Sequence, residues 1–358
     1  MNYLRDAWYV AAWEDEIAGD SLFHRTILSE PVLLYRTSSD EIVALADRCP
    51  HRFAPLHLGR RVGDVVQCGY HGLCFGPSGE CVSSPHGDGN IPRGARVKRY
   101  VAVRKHRAVW IWPGDPSLAD PDLIPDYSFL TQPNPKTVFT GYLPTACNYQ
   151  LATDNIMDLS HADYLHVGSL DTQGAIARTK AKVWEEGRSV HCNWWLANSR
   201  AIGVFKPDLA DPDAPVDQWF EVSWDPPAHM LLRAGFTAAG RPREEGVDVR
   251  AVHIMTPESP TTTHYFFGSA RYKQGVSVEF NEQVRAGVIA AFTHQDKPML
   301  EAQQRSIGET DLLSLRPVSL LGDAGGMRVR RALERLLAAE QQSVAPDKVP
   351  EALRSAAI

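Results

Sequence analysis

Cys49-Pro50-His51-Arg52-Phe53-Ala54-Pro55-Leu56 and Cys68-Gly69-Tyr70-His71-Gly72-Leu73-Cys74-Phe75 are the stretches on which the reading of this chain turns. Each carries one Cys–His pair, with one residue between the partners in the first and two in the second, and 16 residues separate His51 from Cys68. Two thiolates and two imidazoles can hold a [2Fe–2S] cluster in which the cysteines bind one iron and the histidines the other. Neutral imidazole in place of thiolate raises such a centre's potential to roughly −150 to +300 mV. Structural zinc also accepts two cysteines and two histidines, but it usually pairs like with like: two cysteines, or two histidines three to five residues apart. Mixed Cys-x-His and Cys-x-x-His pairs suit two loops that each give one ligand to each iron. Pro50, Pro55, Gly59, Gly69, Gly72, Gly76 and Gly79 supply the turn residues such loops need.

Working outward, residues 1–115 read as short strands at 32–36, 41–46, 65–69, 98–106 and 108–112. The Pro/Asp-rich segment PGDPSLADPDLIPD at 113–126 cannot continue a strand and marks a boundary. Beyond it, 147–166 reads as helix, 180–270 as antiparallel sheet, and the last third as helix again. In 328–342, Val329, Leu333, Leu336 and Leu337 form a docking stripe, and Arg328, Arg330, Arg331 and Arg335 read as a solvated face. Strands followed by helices make an α+β layout, with domains at 1–115 and 116–358.

The chain has 358 residues, 44% hydrophobic and 22% charged, with a net charge of −6. That balance gives no basic footprint for nucleic acid or an anionic membrane, and no run of 18 apolar residues is present. The N-terminal MNYLRDAWYVAAWEDE has charges where a signal peptide is apolar. Cys74, Cys81, Cys147 and Cys192 read as buried free thiols rather than a disulfide framework, which points to the cytoplasm.

A second constellation is Asp154-Asn155-Ile156-Met157-Asp158-Leu159-Ser160-His161-Ala162-Asp163-Tyr164-Leu165-His166. On a helix, Asp154, Asp158 and His161 share a face, whereas His161 and His166 lie about 140° apart, so the helix must bulge or end for both to meet one ion. Two histidines and a carboxylate make the facial triad of non-haem Fe(II) oxygenases. Three carboxylates compete for the third place: Asp158, Asp154, and Asp296 in AAFTHQDKPMLEAQQ. Asp296 lies on a helical stripe with Ile289, Phe292, Met299, Leu300 and Gln303, where coordination would offset its burial; the alternative is that it caps a helix near Pro298.

CPHRFAPL and CGYHGLCF resemble the Rieske-type iron–sulfur domain, and the likeness extends along the chain. DNIMDLSHADYLH, QDKPMLEAQQ, CVSSPHGDGNIP at 81–92, HIMTPE at 253–258, HYFFGSAR at 264–271 and DAGGMRVRRALERLLAAE at 323–340 resemble the Rieske non-haem iron oxygenases of the vanillate and dicamba O-demethylase type. The resemblance implies an all-β Rieske domain followed by a helix-and-antiparallel-sheet catalytic domain of helix-grip type. It implies Cys49, His51, Cys68 and His71 as cluster ligands, and His161, His166 and Asp296 as ligands of a mononuclear Fe(II). Asp158 becomes the carboxylate between the two centres, accepting from a cluster histidine and an iron histidine across the contact of a head-to-tail homotrimer.

The activity so implied is that of a terminal monooxygenase consuming O2, which hydroxylates or O-demethylates a small aromatic acid, with a vanillate-like methoxybenzoate expected. Expected substrate contacts are His253, Asn155, Leu232 and Arg233; only one of the neighbouring pair Leu232 and Arg233 can face the pocket, and the alternative for His253, in the apolar strand VRAVHIMT, is a satisfied core histidine. Gly287 stands where the dicamba pattern has a bulky aromatic, which argues against that herbicide. The chain has no GxGxxG after a strand and no second four-cysteine set, so a separate flavin- or ferredoxin-type reductase must feed it. A pure Rieske electron carrier is the competing class, and iron content separates the two.

Overall fold

The structure, a computed structural model, describes residues 3–131, 138–271 and 278–344. Ten strands come first: Tyr9–Trp13 (β1), Phe23–Ile27 (β2), Glu30–Arg36 (β3), Ile42–Ala46 (β4), Arg60–Val62 (β5), Val65–Gln67 (β6), Cys74–Phe75 (β7), Cys81–Ser83 (β8), Arg99–Lys105 (β9) and Ala108–Trp112 (β10). They form a six-stranded sheet, ordered β1-β10-β9-β4-β3-β2, and a four-stranded one, β5-β6-β7-β8. Leu33, Tyr35, Val43 and Leu45 of the first sheet meet Val66 and Phe75 of the second and Leu56 and Leu73 of the loops beside it, and Cys49 and Cys68 sit in that same core. The ligand loops are thus anchored by apolar burial, at about 1.5–3 kcal/mol per large side chain.

The Pro/Asp segment folds into two short 3₁₀ turns. Asp115 and Asp120 cap them by accepting from the main-chain N–H of Ser117 and Asp122, and a proline opens each turn, where no amide is needed. Seven strands then build the large sheet: Val138–Thr145 (β11), Lys182–Glu186 (β12), Ser189–Arg200 (β13), Pro215–Asp225 (β14), His229–Ala238 (β15), Val247–Ser259 (β16) and Thr262–Arg271 (β17). The order is β11-β17-β16-β15-β14-β13-β12, antiparallel throughout. The α+β arrangement read from the sequence is what the chain adopts.

Both faces of this sheet are covered. Val252, Ile254 and Phe266 pack on Trp8, Val10, Trp13 and Trp110 of the N-terminal strands. Helices Tyr149–Met157 (α1), Ala162–Leu165 (α2), Ala175–Arg178 (α3), Val278–Ala291 (α4), Lys297–Ile307 (α5) and Ala324–Val344 (α6) complete the second half. Val329 and Leu333 of α6 are buried, and Leu336 and Leu337 pack beside them, as the stripe predicts. Arg330 departs from its expected solvated face. It is buried, and its guanidinium reaches Asp154 at 2.6 Å and Gln150 at 2.7 Å. Its i−1 and i+3 neighbours, Val329 and Leu333, dock and carry it under the surface. All six cysteines are free, with Cys81, Cys147 and Cys192 buried and Cys74 half-buried.

Candidate metal centres and the adjoining cavity

Cys49 follows β4, while Cys68 and His71 occupy the turn between β6 and β7. In each loop a main-chain bond closes the turn, Phe53 N–H to Cys49 O at 2.9 Å and Gly72 N–H to Cys68 O at 3.0 Å. Gly69 lets the second loop approach the first, since a Cβ there would meet the Leu58 carbonyl at 2.8 Å. Cys49 and Cys68 are each 2% exposed, whereas the His51 and His71 rings lie toward solvent, 4.5 Å apart between centroids. Burial pushes the Cys49 thiol up, and the neighbouring Cys68 adds to the effect. Two sulfurs within and two imidazoles without fit a cluster whose histidine-bound iron faces the surface.

The second centre gathers residues 130 positions apart. Helix α1 stops at Met157, a 3₁₀ turn spans Leu159–His161, and the short α2 ends at His166. This break turns the two imidazoles together. Asp296 arrives from a π turn, Phe292–Asp296, joining α4 to α5. Its backbone stays helical and its side chain caps nothing, so the capping alternative does not hold. The π turn also rotates the stripe: Leu300 and Gln304 are buried beyond Asp296, whereas Met299 is exposed.

His161 Nε2 lies 3.4 Å from Asp296 Oδ1, and His166 Nε2 lies 3.2 Å from Oδ2. All three ligand atoms fall within 4.8 Å of one another. His161 Nδ1 is 2.7 Å from the Asp158 main-chain carbonyl, and His166 Nδ1 is 2.7 Å from Gln295 Oε1. If each Nδ1 donates to its oxygen, both Nε2 atoms turn lone pairs toward the carboxylate, a donor set that suits a cation. Burial alone would raise the Asp296 carboxyl, but the two imidazoles hold it well below the usual carboxylate range. Asn155 Nδ2 donates to Asp296 Oδ1 at 3.2 Å, which fixes the carboxylate from behind.

The two other candidate carboxylates take different posts. Asp154 is engaged by Arg330 and turns away from the histidines. The expectation that the Asp158 carboxylate holds the iron histidine needs correction: the main-chain carbonyl does so, while Oδ1 accepts from Ser160 N–H at 2.9 Å. Chain termination explains this, because Asp158 both ends α1 and caps the 3₁₀ turn. The sequence assigned no such roles to Gln295 and Arg330, and of the two only Gln295, next to Asp296 in a polar run, had a cue.

A cavity of about 1110 Å³, part of it open to solvent, runs from the three ligands between the sheet and α4. His253, Asn155 and Leu232 line it as expected. Arg233 does not; it is exposed on the other side of β15, because alternation gives the inward position to Leu232. Gly287 has open space where its Cβ would be.

Residues 7–100 match the Rieske [2Fe-2S] domain, and residues 145–339 match the vanillate O-demethylase oxygenase C-terminal domain. The oxygenase component of chloroacetanilide N-alkylformylase from Rhizorhabdus wittichii is 40% identical, over 94% of this chain and 97% of that protein. The oxygenase component of dicamba O-demethylase from Stenotrophomonas maltophilia is 37% identical, over 94% and 98%. A crystal structure of dicamba monooxygenase bound to 3,6-dichlorosalicylic acid superposes with a TM-score of 0.88 at 36% identity, covering 95% of this chain and 99% of that one. A further dicamba monooxygenase structure contains non-haem iron. A Rieske [2Fe–2S] cluster, a mononuclear non-haem iron and O2 are therefore the working parts of this protein. The chain belongs to the Rieske non-haem iron oxygenases, as an oxygenase component of the vanillate O-demethylase type.

Proposed function

We propose that this oxygenase hydroxylates, and thereby dealkylates, a methoxy or related alkyl group on a small aromatic substrate of the vanillate-like kind, using electrons from a separate NAD(P)H reductase. Cys49, His51, Cys68 and His71 hold the cluster, and His161, His166 and Asp296 hold the iron. The observation that carries this reading is the convergence of those three side chains at the inner end of an apolar cavity. When bound, the iron supplies the place where dioxygen is reduced, and the cluster supplies single electrons. The chain does the rest. Asp158 and Gln295 orient the iron histidines, Asn155 steadies Asp296, the apolar lining excludes water, and His253 meets a polar atom of the substrate.

Residues 1–115 serve electron storage and 116–358 serve chemistry in this reading, and the subunits form a head-to-tail trimer. Two exposed apolar groups support the trimer: Phe53, Leu58 and Tyr70 beside the cluster loops, and Val318, Leu320 and Leu321 beside Gly322, where an added Cβ would meet the Asp158 carboxylate. Among the described residues no helix is long and apolar enough to cross a membrane, and a cytoplasmic location is proposed from the free thiols. The test is iron content with NADH-dependent oxygen uptake, using a surrogate reductase and methoxylated or alkylated arenes. About three irons per chain and release of formaldehyde from a methyl ether are expected; two irons and no substrate-dependent uptake would make the protein an electron carrier.

A further inference from the structure

The cavity has two ends. At the inner end Phe267 of β17 meets Phe292, the first residue of the π turn that delivers Asp296, edge to face with centroids 5.1 Å apart. Phe267, Ser269 and Arg271 alternate onto one face of β17 and all three line the cavity. Four residues of strand carry that wall about 13 Å from Phe267 to Arg271. The helix side runs the same way, because the Arg271 guanidinium lies 5.1 Å from the ring of Phe280, about three turns before Phe292. Arg271 therefore marks the end away from the iron ligands.

Among the described lining residues Arg271 is the only arginine or lysine, and it is 7% exposed. It is ion-paired with Asp208, which ends the turn Gly203–Asp208, and Val204 and Phe205 of that turn also line the cavity. Its Nε has no hydrogen-bond partner among the described residues. Burial pushes the guanidinium down to about 10, so it stays charged at pH 7. An unmet N–H on a buried charged group is costly, and a carboxylate entering the cavity would meet it in the fork geometry that guanidinium favours. At the other end the Asp296 carboxylate, once it holds Fe(II), no longer repels an anion.

Resting on the oxygenase reading above, we propose that Arg271 is a specificity-determining residue that forms a carboxylate subsite at the end of the cavity away from the iron. Asp208 is the internal counter-ion with which a substrate acid competes, and the Ser269 hydroxyl stands one inward position nearer the iron. The substrate class that fits is an alkoxyarene whose carboxylate is carried on a spacer, opposite the carbon that reaches the iron. A pair that served stability alone would hold the turn to β17 and would not distinguish an acid from its amide.

The test uses full-length, iron-loaded protein and three acids of increasing reach, 4-methoxybenzoate, 4-methoxyphenylacetate and 3-(4-methoxyphenyl)propanoate, each beside its primary amide. Anaerobic calorimetry at pH 7.5 gives binding without turnover, and oxygen uptake and formaldehyde release give turnover. A longer acid should bind about tenfold tighter than its own amide. Arg271→Met should abolish that ratio, with the loss falling on Kd and KM rather than on kcat, and an unchanged Rieske spectrum reports the fold. Asp208→Asn, which keeps the shape and removes the competing charge, should raise the ratio about tenfold, and it serves as the test if Arg271→Met does not fold. Amides that bind as well as every acid, a ratio that survives Arg271→Met, or a ratio unmoved by Asp208→Asn each overturn the subsite and leave the oxygenase reading in place. Oxidation of none of the six overturns the proposed function as well.

Discussion

Arg330 of α6 clasps Asp154 of α1, with Nη2 2.6 Å and Nε 3.0 Å from the same carboxylate oxygen. Asp154 sits one turn before Asp158, so the last helix holds the segment that carries His161 and His166. Arg330→Met should leave a largely buried carboxylate uncompensated and lower stability by about 3 kcal/mol. Urea unfolding measures this, and mononuclear iron should be lost before the cluster. Equal loss of both centres would count against a local role.

Asp296→Ala removes the carboxylate on which both Nε2 atoms converge. Iron content should fall from about three to about two atoms per chain, with the Rieske absorption intact. Full iron occupancy in this variant would return the third ligand to Asp154 or Asp158.

In the proposed ligand set, His71→Cys replaces a neutral ligand with an anionic one on the solvent side of the cluster. The potential should drop, or the cluster should be lost, as read by redox titration and visible spectra. An unchanged spectrum and potential would remove His71 from the ligand set.

Gly322 and Asp158 form a pair, because a Cβ at 322 would land on the Asp158 carboxylate. Gly322→Ala should therefore mimic Asp158→Asn. Both variants keep the main-chain carbonyl that holds His161, so both should fold and retain iron. Single-turnover product formation from fully reduced protein should slow by about tenfold or more in each, if the carboxylate couples the centres. A normal rate in Asp158→Asn with the oligomer intact would show that the carboxylate is dispensable.

Acid should loosen the junction between the two halves. Burial pushes His229, His253 and His264 down to about 4, and His229 and His264 pair with the Trp8 and Thr26 carbonyls of the N-terminal strands. Unfolded histidines take up protons below about 6.5, whereas these resist until about 4. The unfolded state therefore binds more protons in that window, and stability falls as pH drops through it, by about 2 kcal/mol for each histidine at pH 5. Chemical denaturation at pH 7 and pH 5 measures the loss, and His229→Gln should flatten the slope.

Local sequence was enough to mark the two Cys–His loops, the strand-then-helix order and the two histidines of the proposed iron site. These are local facts: Cys49, His51, Cys68 and His71 lie within one short stretch, and alternation or a helical stripe is visible within a dozen residues. Asp296 was visible as a carboxylate on an apolar stripe, but choosing it over Asp154 and Asp158 on residues alone was not possible, because all three sit on helices with equal local claims. Tertiary structure settled where each goes. Arg330 arrives from 176 residues away to take Asp154. The end of α1 turns the Asp158 carboxylate to Ser160, and a π turn aims Asp296 at the histidines. The same limit governs the pocket, where alternation says that one of Leu232 and Arg233 faces inward but not which. That choice depends on the register of β15 between β14 and β16, a property of the whole sheet.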